Sequence, residues 1–359
     1  MLKKYLKQIL TIISLLFWAP EVALTAPIIY NWDLLVTSPQ NTKFKTTDTG
    51  PVLLFSDSPE MVNKPGIMYK DKINGDARLF FHHVNDTKTL KNFSIVLYNP
   101  ELKPVNITLN RRGVSKPSFD WLKAGQDVQV EYFAKYKPKN ITIEPFSHIE
   151  LLSEKSGVNF KPQQLITGMM DLHTTSDVEV TFLMSVPGSN IFADVDILPQ
   201  LPADQTPPLR GTFKNANRNV QVINQYNGNN QQLVTLLADG VEDKFVWGID
   251  APTGKPAHNY GNYGIVYNVS YQTSGNVPYL FGFNTLGGYF AGVGLLKQQE
   301  NEQLVMLPPR GLSMGATEKE TLLFEMSAED SKGNFIFSPP GSANLPIRLL
   351  FKNTHYKNK

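Results

Sequence analysis

The sequence predicts an all-β protein built from two antiparallel β-sandwich domains of the jelly-roll or immunoglobulin-like type. Apolar and polar residues alternate with a period of two along many short segments, which is the pattern of a half-buried strand. The chain of 359 residues contains 25 glycines, 25 prolines, 21 phenylalanines and 14 tyrosines, a composition typical of short strands joined by turns. No strand–helix–strand rhythm is present, so a parallel sheet is not expected.

Four segments carry the clearest alternation. They are residues 93–97, 105–109, 128–132 and 178–186. In each of them the apolar side chains would face one side of a sheet and the polar ones the other. No window of a dozen residues shows a convincing helical stripe, so at most single helical turns are expected.

The first 26 residues have the order of a secretory signal peptide. Lys3, Lys4 and Lys7 form a basic start, an apolar run follows over residues 9–18, and residues 23–26 are mostly small. This is the order of the charged, apolar and cleavage regions. The apolar run is about half of the ~20 residues that a membrane-spanning helix needs. We therefore expect a secreted or cell-surface protein without a transmembrane helix in the mature chain; the alternative is tethering by an uncleaved leader.

Composition excludes several functions. Cysteine is absent and the formal net charge is +2. Exported eukaryotic proteins usually carry disulfides, so an exported chain without cysteine favours a Gram-positive bacterial origin. Without thiols there is no thiol nucleophile, iron–sulfur cluster or thiolate zinc site. The small charge does not indicate nucleic acid as a partner, and no cofactor is expected.

A proline-rich stretch divides the chain. Residues 196–210 contain four prolines, which favour extended backbone and do not fit inside a central strand. The chain after the leader is also longer than one hydrophobic core usually organises. The predicted organisation is a signal peptide over 1–26, a β-sandwich over 27–195, a linker with few contacts over 196–210 and a second β-sandwich over 211–359.

One short motif matches a hydrolase signature. Gly311, Ser313 and Gly315 fit the G-x-S-x-G elbow, in which a serine lies on a turn between a strand and a helix. Two prolines at 308 and 309 interrupt the strand that should precede it, and residues 317–326 are typical of another strand. A serine hydrolase using Ser313 is the alternative hypothesis, beside the simpler interpretation of a glycine-bounded turn.

Histidines give a weak indication of a metal. His82 and His83 are adjacent in a strand-like run and point to opposite faces, so they do not bind one metal unless the strand bulges. Asp171 and His173 follow a pair of methionines, a set that would suit copper. Core packing is the other interpretation, and His82, Asp171 and His173 remain weak metal candidates.

Residues 258–264 have the most unusual local composition, HNYGNYG. Amides combined with aromatic rings bind sugars, because rings stack on C–H surfaces while amides bond hydroxyls. The candidate binding residues are Asn259, Tyr260, Asn262 and Tyr263. The other interpretation is a turn rich in glycine and asparagine, with its tyrosines folded into the core.

Residues 101–140 are locally basic, with eight lysines and arginines against four acidic residues. Arg111 and Arg112 lie near the middle of this segment. Positive charge on one side of a sheet would bind an anionic wall polymer. A solvated edge whose lysines prevent strand association is the other interpretation.

Three segments resemble a group of uncharacterised exported proteins of Gram-positive bacteria. They are residues 80–85 (FFHHVN), 110–114 (NRRGV) and 259–264 (NYGNYG). Members often carry the label "copper amine oxidase N-terminal domain-containing". The resemblance implies an exported protein but no amine oxidase activity. The quinone-forming tyrosine of such oxidases is followed by Asp or Glu, whereas Tyr260 and Tyr263 are followed by glycine, and no His-x-His occurs.

These observations together predict a non-enzymatic exported or cell-surface protein that binds cell-wall or extracellular polysaccharide. The alternatives are a secreted serine hydrolase using Ser313 and a purely structural envelope protein.

Overall fold

The computed structural model describes residues 28–29, 39–153, 157–228, 232–274, 278–298, 301–317, 320–326 and 332–353. Most of these residues lie in β-strands, and the two helices among them are short. The all-β prediction is therefore confirmed. The predicted signal peptide lies outside the described residues.

Among its described residues, the N-terminal part of the chain supplies twelve strands and two helices. The strands are β1 (Ile28–Ile29), β2 (Gln40–Asn41), β3 (Phe44–Thr49), β4 (Val52–Ser56), β5 (Met61–Val62), β6 (Gly66–Asn85), β7 (Lys91–Tyr98), β8 (Val105–Val114), β9 (Lys139–Ile143), β10 (His148–Glu150), β11 (Val158–Phe160) and β12 (Leu165–Ser185). The helices are α1 (Trp121–Phe133) and α2 (Ile191–Ile197).

The described residues of the C-terminal part form strands and no helix. The strands are β13 (Arg210–Phe213), β14 (Asn217–Val222), β15 (Leu233–Leu237), β16 (Trp247–Asp250), β17 (Lys255–His258), β18 (Val266–Gln272), β19 (Tyr279–Thr285), β20 (Gly292–Gln298), β21 (Asn301–Leu307), β22 (Thr321–Met326), β23 (Lys332–Phe337) and β24 (Ile347–Asn353).

The first sandwich is formed by one twelve-stranded sheet around the long antiparallel pair β6 and β12. The register of this pair shifts between Thr174 and Val178. On one side of the shift β12 pairs with β8, and on the other side it pairs with β7. Side chains from the two halves meet in one core, where the Phe81 ring stacks on Phe93 with centroids 4.7 Å apart. The sheet thus encloses its own apolar residues.

The second sandwich consists of two six-stranded sheets. Their strand orders are β1-β22-β19-β24-β15-β2 and β21-β20-β23-β18-β14-β3. Aromatic side chains from the facing sheets fill the core, and the rings of Phe281 and Phe335 lie 5.3 Å apart. Pairing is mostly antiparallel, with parallel pairs between β14 and β18 and between β15 and β2.

Helix α1 joins the two sandwiches. The Gln126 side chain donates to the carbonyls of Gly292 and Pro308, and Gln129 accepts from the amide of Val293. Apolar residues of the first sheet, including Phe55, also belong to the core of the second sandwich. Buried amide side chains bonded across the junction fix the relative placement of the sandwiches.

The expectation of few contacts along residues 196–210 is wrong. Leu201 is 3% exposed and packs in the first core, while Arg210 is 1% exposed and begins β13. The Ile67 amide donates to Pro199 O, and the Leu201 amide donates to Ile67 O. Prolines remove donors but leave carbonyl acceptors, so an extended proline-rich segment still pairs with a neighbouring strand. The division into residues 27–195 and 211–359 stays a prediction.

Strand pairing does not follow that predicted division, because each part of the sequence contributes strands to both sandwiches. The short β13 pairs with β4, and β16 pairs with β13 and β17, all in the twelve-stranded sheet. Conversely, β3 of the N-terminal part pairs with β14 in the second sandwich. Each sandwich therefore contains strands from both parts of the sequence.

The predicted strand over 128–132 is wrong, because these residues lie in helix α1. The Asp120 side chain caps the helix by accepting from the Lys123 amide. Ala124, Val128 and Tyr132 are buried at intervals of four, which is the helical period. Three other strand predictions are confirmed: 93–97, 105–109 and 178–185 are strands, with only residue 186 beyond the end of β12.

Across the part of the chain that the structure describes, we find no helix with the length and apolarity required to span a bilayer.

Candidate functional site

The turn over residues 259–263 is held by its own amide side chains. The Asn259 side chain donates to Tyr263 O and accepts from the Tyr263 amide. The Asn262 side chain accepts from the Val246 amide and donates to the Tyr267 hydroxyl. Both asparagines are 0% exposed. The expectation that they face a ligand is wrong, because their polar groups are bonded inside the protein.

Tyr263 also belongs to the protein interior. Its ring is half-buried and lies parallel to Phe55 at 6.5 Å, and its hydroxyl donates to Ala343 O. Burial raises the pKa of Tyr263 above its ordinary value. This tyrosine connects the first sheet to the second sandwich, which corrects its prediction as a binding residue.

Tyr260 faces solvent and belongs to a cluster of four aromatic side chains, which we name the aromatic patch. Its members are Phe245, Trp247, His258 and Tyr260. The Trp247 ring stacks on His258 with centroids 4.1 Å apart and an interplanar angle of 16°. Tyr260 lies 4.8 Å from Phe245 and 5.8 Å from His258. Trp247 is 58% and Tyr260 67% exposed, so two large rings of the patch are open to a ligand.

The edge of the twelve-stranded sheet positions the aromatic patch. Strand β17 is the last in the strand order, and Trp247 on β16 lies directly opposite His258 on β17. The Tyr260 amide donates to His258 O, which holds the tyrosine beside the pair. Partial burial lowers the pKa of His258, so its ring is neutral near pH 7.

Phe245 and Trp247 are not among the binding residues predicted from the sequence. The sequence feature that indicates them is the triplet Phe245, Val246 and Trp247 just before and at the start of β16. In the structure only its middle residue, Val246, is buried. Alternation of this kind at the start of a strand places both aromatic rings on the solvent side. The pairing of β16 with β17 then brings them to Tyr260.

Arg111 and Arg112 are successive residues of β8, and both guanidinium groups lie near the end of helix α1, where Arg111 donates to Tyr132 O. Arg111 lies across from Asp171 on β12, and Asp171 lies across from Arg78 on β6. Arg112 lies 4.0 Å from Glu131 of helix α1. Binding of a ligand by Arg111 and Arg112 stays a prediction.

The weak metal candidates have other partners. Asp171 accepts from Arg78 at 2.7 Å, and the exposed His173 pairs with Asp76 at 2.8 Å. His82 is buried, with Nε2 3.8 Å from a Glu60 oxygen. Among the described residues no three histidine or acidic side chains are grouped as metal ligands.

His82 and His83 form a buried pair. His83 is 0% exposed, with Nε2 2.9 Å from Ser56 Oγ and Nδ1 2.9 Å from Pro59 O. Burial lowers the pKa of His82 to about 3, and that of His83 to about 4. Both rings are therefore neutral at physiological pH.

Acidification is expected to destabilise the fold through these two rings. A histidine with a lowered pKa binds its proton first in the unfolded state, so the stability present above pH ~6.5 is lost as the pH falls. At pH ~4.5 the loss is on the order of 2–3 kcal/mol for each ring. His83→Gln has no titrating ring at this position. Between pH 7 and pH 4.5 its free energy of unfolding, measured with urea, should therefore fall by about 2–3 kcal/mol less than that of wild type. The control His173→Gln should follow wild type; a His83→Gln curve parallel to wild type would contradict this account.

Ser313 is exposed and lies six residues after the end of β21. The next named element is strand β22, where a nucleophile elbow requires a helix. The Gly315 amide donates to the Glu320 carboxylate and closes a turn. The elbow geometry is therefore absent from the described residues around Ser313.

Comparisons with protein-family models and with curated proteins find no match. Among solved structures, the chain is similar to tandem CBM51 modules of a family 98 glycoside hydrolase from Streptococcus pneumoniae, with 9% identity, coverage of 87% of this chain and 100% of that chain, and a TM-score of 0.16. It is also similar to vicilin from Corylus avellana (9% identity, 85% and 87% coverage, TM-score 0.14). A third similarity is to oxalate decarboxylase from Lactobacillus farciminis (11% identity, 86% and 87% coverage, TM-score 0.14). Scores this low carry no argument about function.

Proposed function

We propose that this protein binds a glycan through the aromatic patch. The observation that carries the proposal is the exposure of Trp247 and Tyr260, at 58% and 67%, within one cluster of rings. Single exposed apolar residues are ordinary, whereas contiguous exposed rings mark interaction sites. Trp and Tyr each combine an apolar face with a polar group, which suits the C–H faces and hydroxyls of sugars.

The supporting rings hold this surface in place before a ligand arrives. His258 stacks on Trp247, and Phe245 lies against Tyr260. Side chains that are already fixed lose little conformational entropy on binding, so more of the contact energy appears as affinity. Ile249, 51% exposed and two residues after Trp247 on β16, extends the apolar surface along the edge strand.

The partner in this proposal is a cell-wall or extracellular polysaccharide. The support for that location is the sequence of the first 26 residues, and the small net charge gives no reason to prefer nucleic acid. The protein acts by binding in this account, and no bond is made or broken.

Calorimetric titration with soluble wall oligosaccharides tests the proposal. Burying one ring against a sugar contributes ~1.5–3 kcal/mol, so Trp247→Ala and Tyr260→Ala should each weaken binding about tenfold or more. Tyr260→Phe keeps the stacking face and should retain most of the affinity.

The control is Phe119→Ala, which removes a ring that is 65% exposed outside the patch. This variant should bind as wild type does. Equal affinities of wild type and Trp247→Ala for every oligosaccharide that binds would exclude the patch as the glycan site.

A further inference from the structure

A polar pocket of about 360 Å³ lies where the two sandwiches meet. We name it the junction pocket. Strands β6, β8 and β12 with helix α1 form one side, and β14, β18 and β20 form the other. These elements are separate from β16 and β17, which carry the aromatic patch. The volume lies within the range of small-molecule sites.

The floor of the junction pocket is a fixed ionic network. Asp171 accepts from Arg78 Nε at 2.7 Å, from Arg78 Nη2 at 3.1 Å and from the Tyr132 hydroxyl at 2.7 Å. Arg78 also donates to the carbonyls of Ala216 and Gly264 and to the Asn217 side chain. Its donors are thus used within the protein, and its charge is balanced by Asp171.

The positive charge left for a ligand belongs to Arg111. Its guanidinium lies 5.8 Å from the Tyr132 ring centroid and donates to Tyr132 O at 3.3 Å. In the described chain Arg111 pairs with no carboxylate, whereas Lys297 at the same pocket pairs with Glu302 at 2.5 Å. Since Arg78 and Lys297 are balanced, the pocket has a net positive charge and favours an anion.

The opposite wall offers amide groups. The Asn268 side chain donates to Asn219 Oδ1 at 3.3 Å, and Asn219 donates to Thr49 Oγ1 at 3.2 Å. The Asn268 Oδ1 atom is buried and has no hydrogen-bond partner among the described residues. A buried acceptor without a partner destabilises the protein, and a hydrogen bond from a ligand hydroxyl would remove that cost.

We propose that the junction pocket binds a sugar carboxylate, such as a uronic acid residue. The carboxylate would pair with the planar guanidinium of Arg111, which matches it in a two-bond geometry. The sugar hydroxyls would bond the amides of Asn219 and Asn268. This second site goes beyond the proposed glycan binding at the aromatic patch and does not depend on it.

Calorimetric titration with glucuronate, glucose and acetate at one ionic strength tests this inference. Wild type should bind glucuronate at least about tenfold more tightly than either glucose or acetate, because only glucuronate has both the charge and the hydroxyls. Arg111→Gln should weaken glucuronate binding about tenfold or more. Asn268→Leu should weaken it as well, without changing the net charge.

The matched control is Arg112→Gln, which removes the same charge from a residue that does not line the junction pocket and should leave binding unchanged. The double variant Trp247→Ala/Tyr260→Ala should also bind glucuronate as wild type does, which separates this site from the aromatic patch. Absence of glucuronate binding would overturn the inference. Equal binding of acetate, or an equal loss in Arg112→Gln and Arg111→Gln, would overturn it too, since either result indicates a nonspecific anion effect.

Discussion

Arg210→Ala is expected to lower the free energy of unfolding by about 3–5 kcal/mol, the usual cost of breaking a buried ion pair from one side. Arg210 and Asp250 are each 1% exposed, and Arg210 Nε donates to Asp250 Oδ1 at 2.9 Å. Arg210 Nη1 also donates to the carbonyls of Ser58, Met68 and Leu201. Alanine would leave the Asp250 charge and these carbonyls buried without that donor.

Urea unfolding measures this loss, and Arg310→Ala is the control. Arg310 also pairs with an aspartate, Asp127, at 2.8 Å, but its side chain is 61% exposed. Exposed pairs contribute about 0–1 kcal/mol, so this variant should remain close to wild type. Equal losses in the two variants would show that Asp250 regains water easily and would contradict the buried network.

The second large effect is expected at Tyr263. Tyr263→Ala removes the ring packed near Phe55 and the hydrogen bond to Ala343 O. Because the side chain is half-buried, the loss should be about 2–4 kcal/mol, somewhat below the ~3–5 kcal/mol for a fully buried ring. Tyr260→Ala, at a ring 67% exposed, should change stability by no more than about 0.5 kcal/mol.

Thermal unfolding of the two variants compares tyrosines only three residues apart. A melting temperature lowered by several degrees in Tyr263→Ala, with little change in Tyr260→Ala, is the expected result. Equal shifts would mean that both rings pack in the interior, and Tyr260 would then not be available to a ligand.

The strands could be predicted from the sequence because their pattern is local. Residues 93–97 and 105–109 alternate as strands do and lie in β7 and β8. Residues 128–132 alternate in the same way but lie in α1, because the Asp120 cap and the burial of Ala124, Val128 and Tyr132 at intervals of four favour a helix. Over only five residues, the strand period of 2 and the helical period of 3.6 both place residues 128 and 132 on one face. The apolar pattern of so short a segment therefore does not distinguish a strand from a helix.

The sites depend on pairings between distant segments, which a single sequence does not reveal. The sequence suggests an anion site for Arg111 and a metal site for Asp171, yet the pairing of β8 with β12 places the two residues side by side. Trp247 joins Tyr260 only through the pairing of β16 with β17. Asn259 and Asn262 have the composition of a sugar site, but the turn uses their amides internally. Composition identifies the available chemistry, and the fold decides which groups face solvent.

The most direct test of the central claim is retention of the purified protein by insoluble cell-wall polysaccharide. Wild type should leave the supernatant with the polysaccharide, and Phe119→Ala should do the same. Trp247→Ala/Tyr260→Ala, with an unfolding curve close to wild type, should stay in the supernatant because it lacks both exposed rings of the aromatic patch. Retention of this folded double variant at the wild-type level would contradict the claim that the aromatic patch binds glycan.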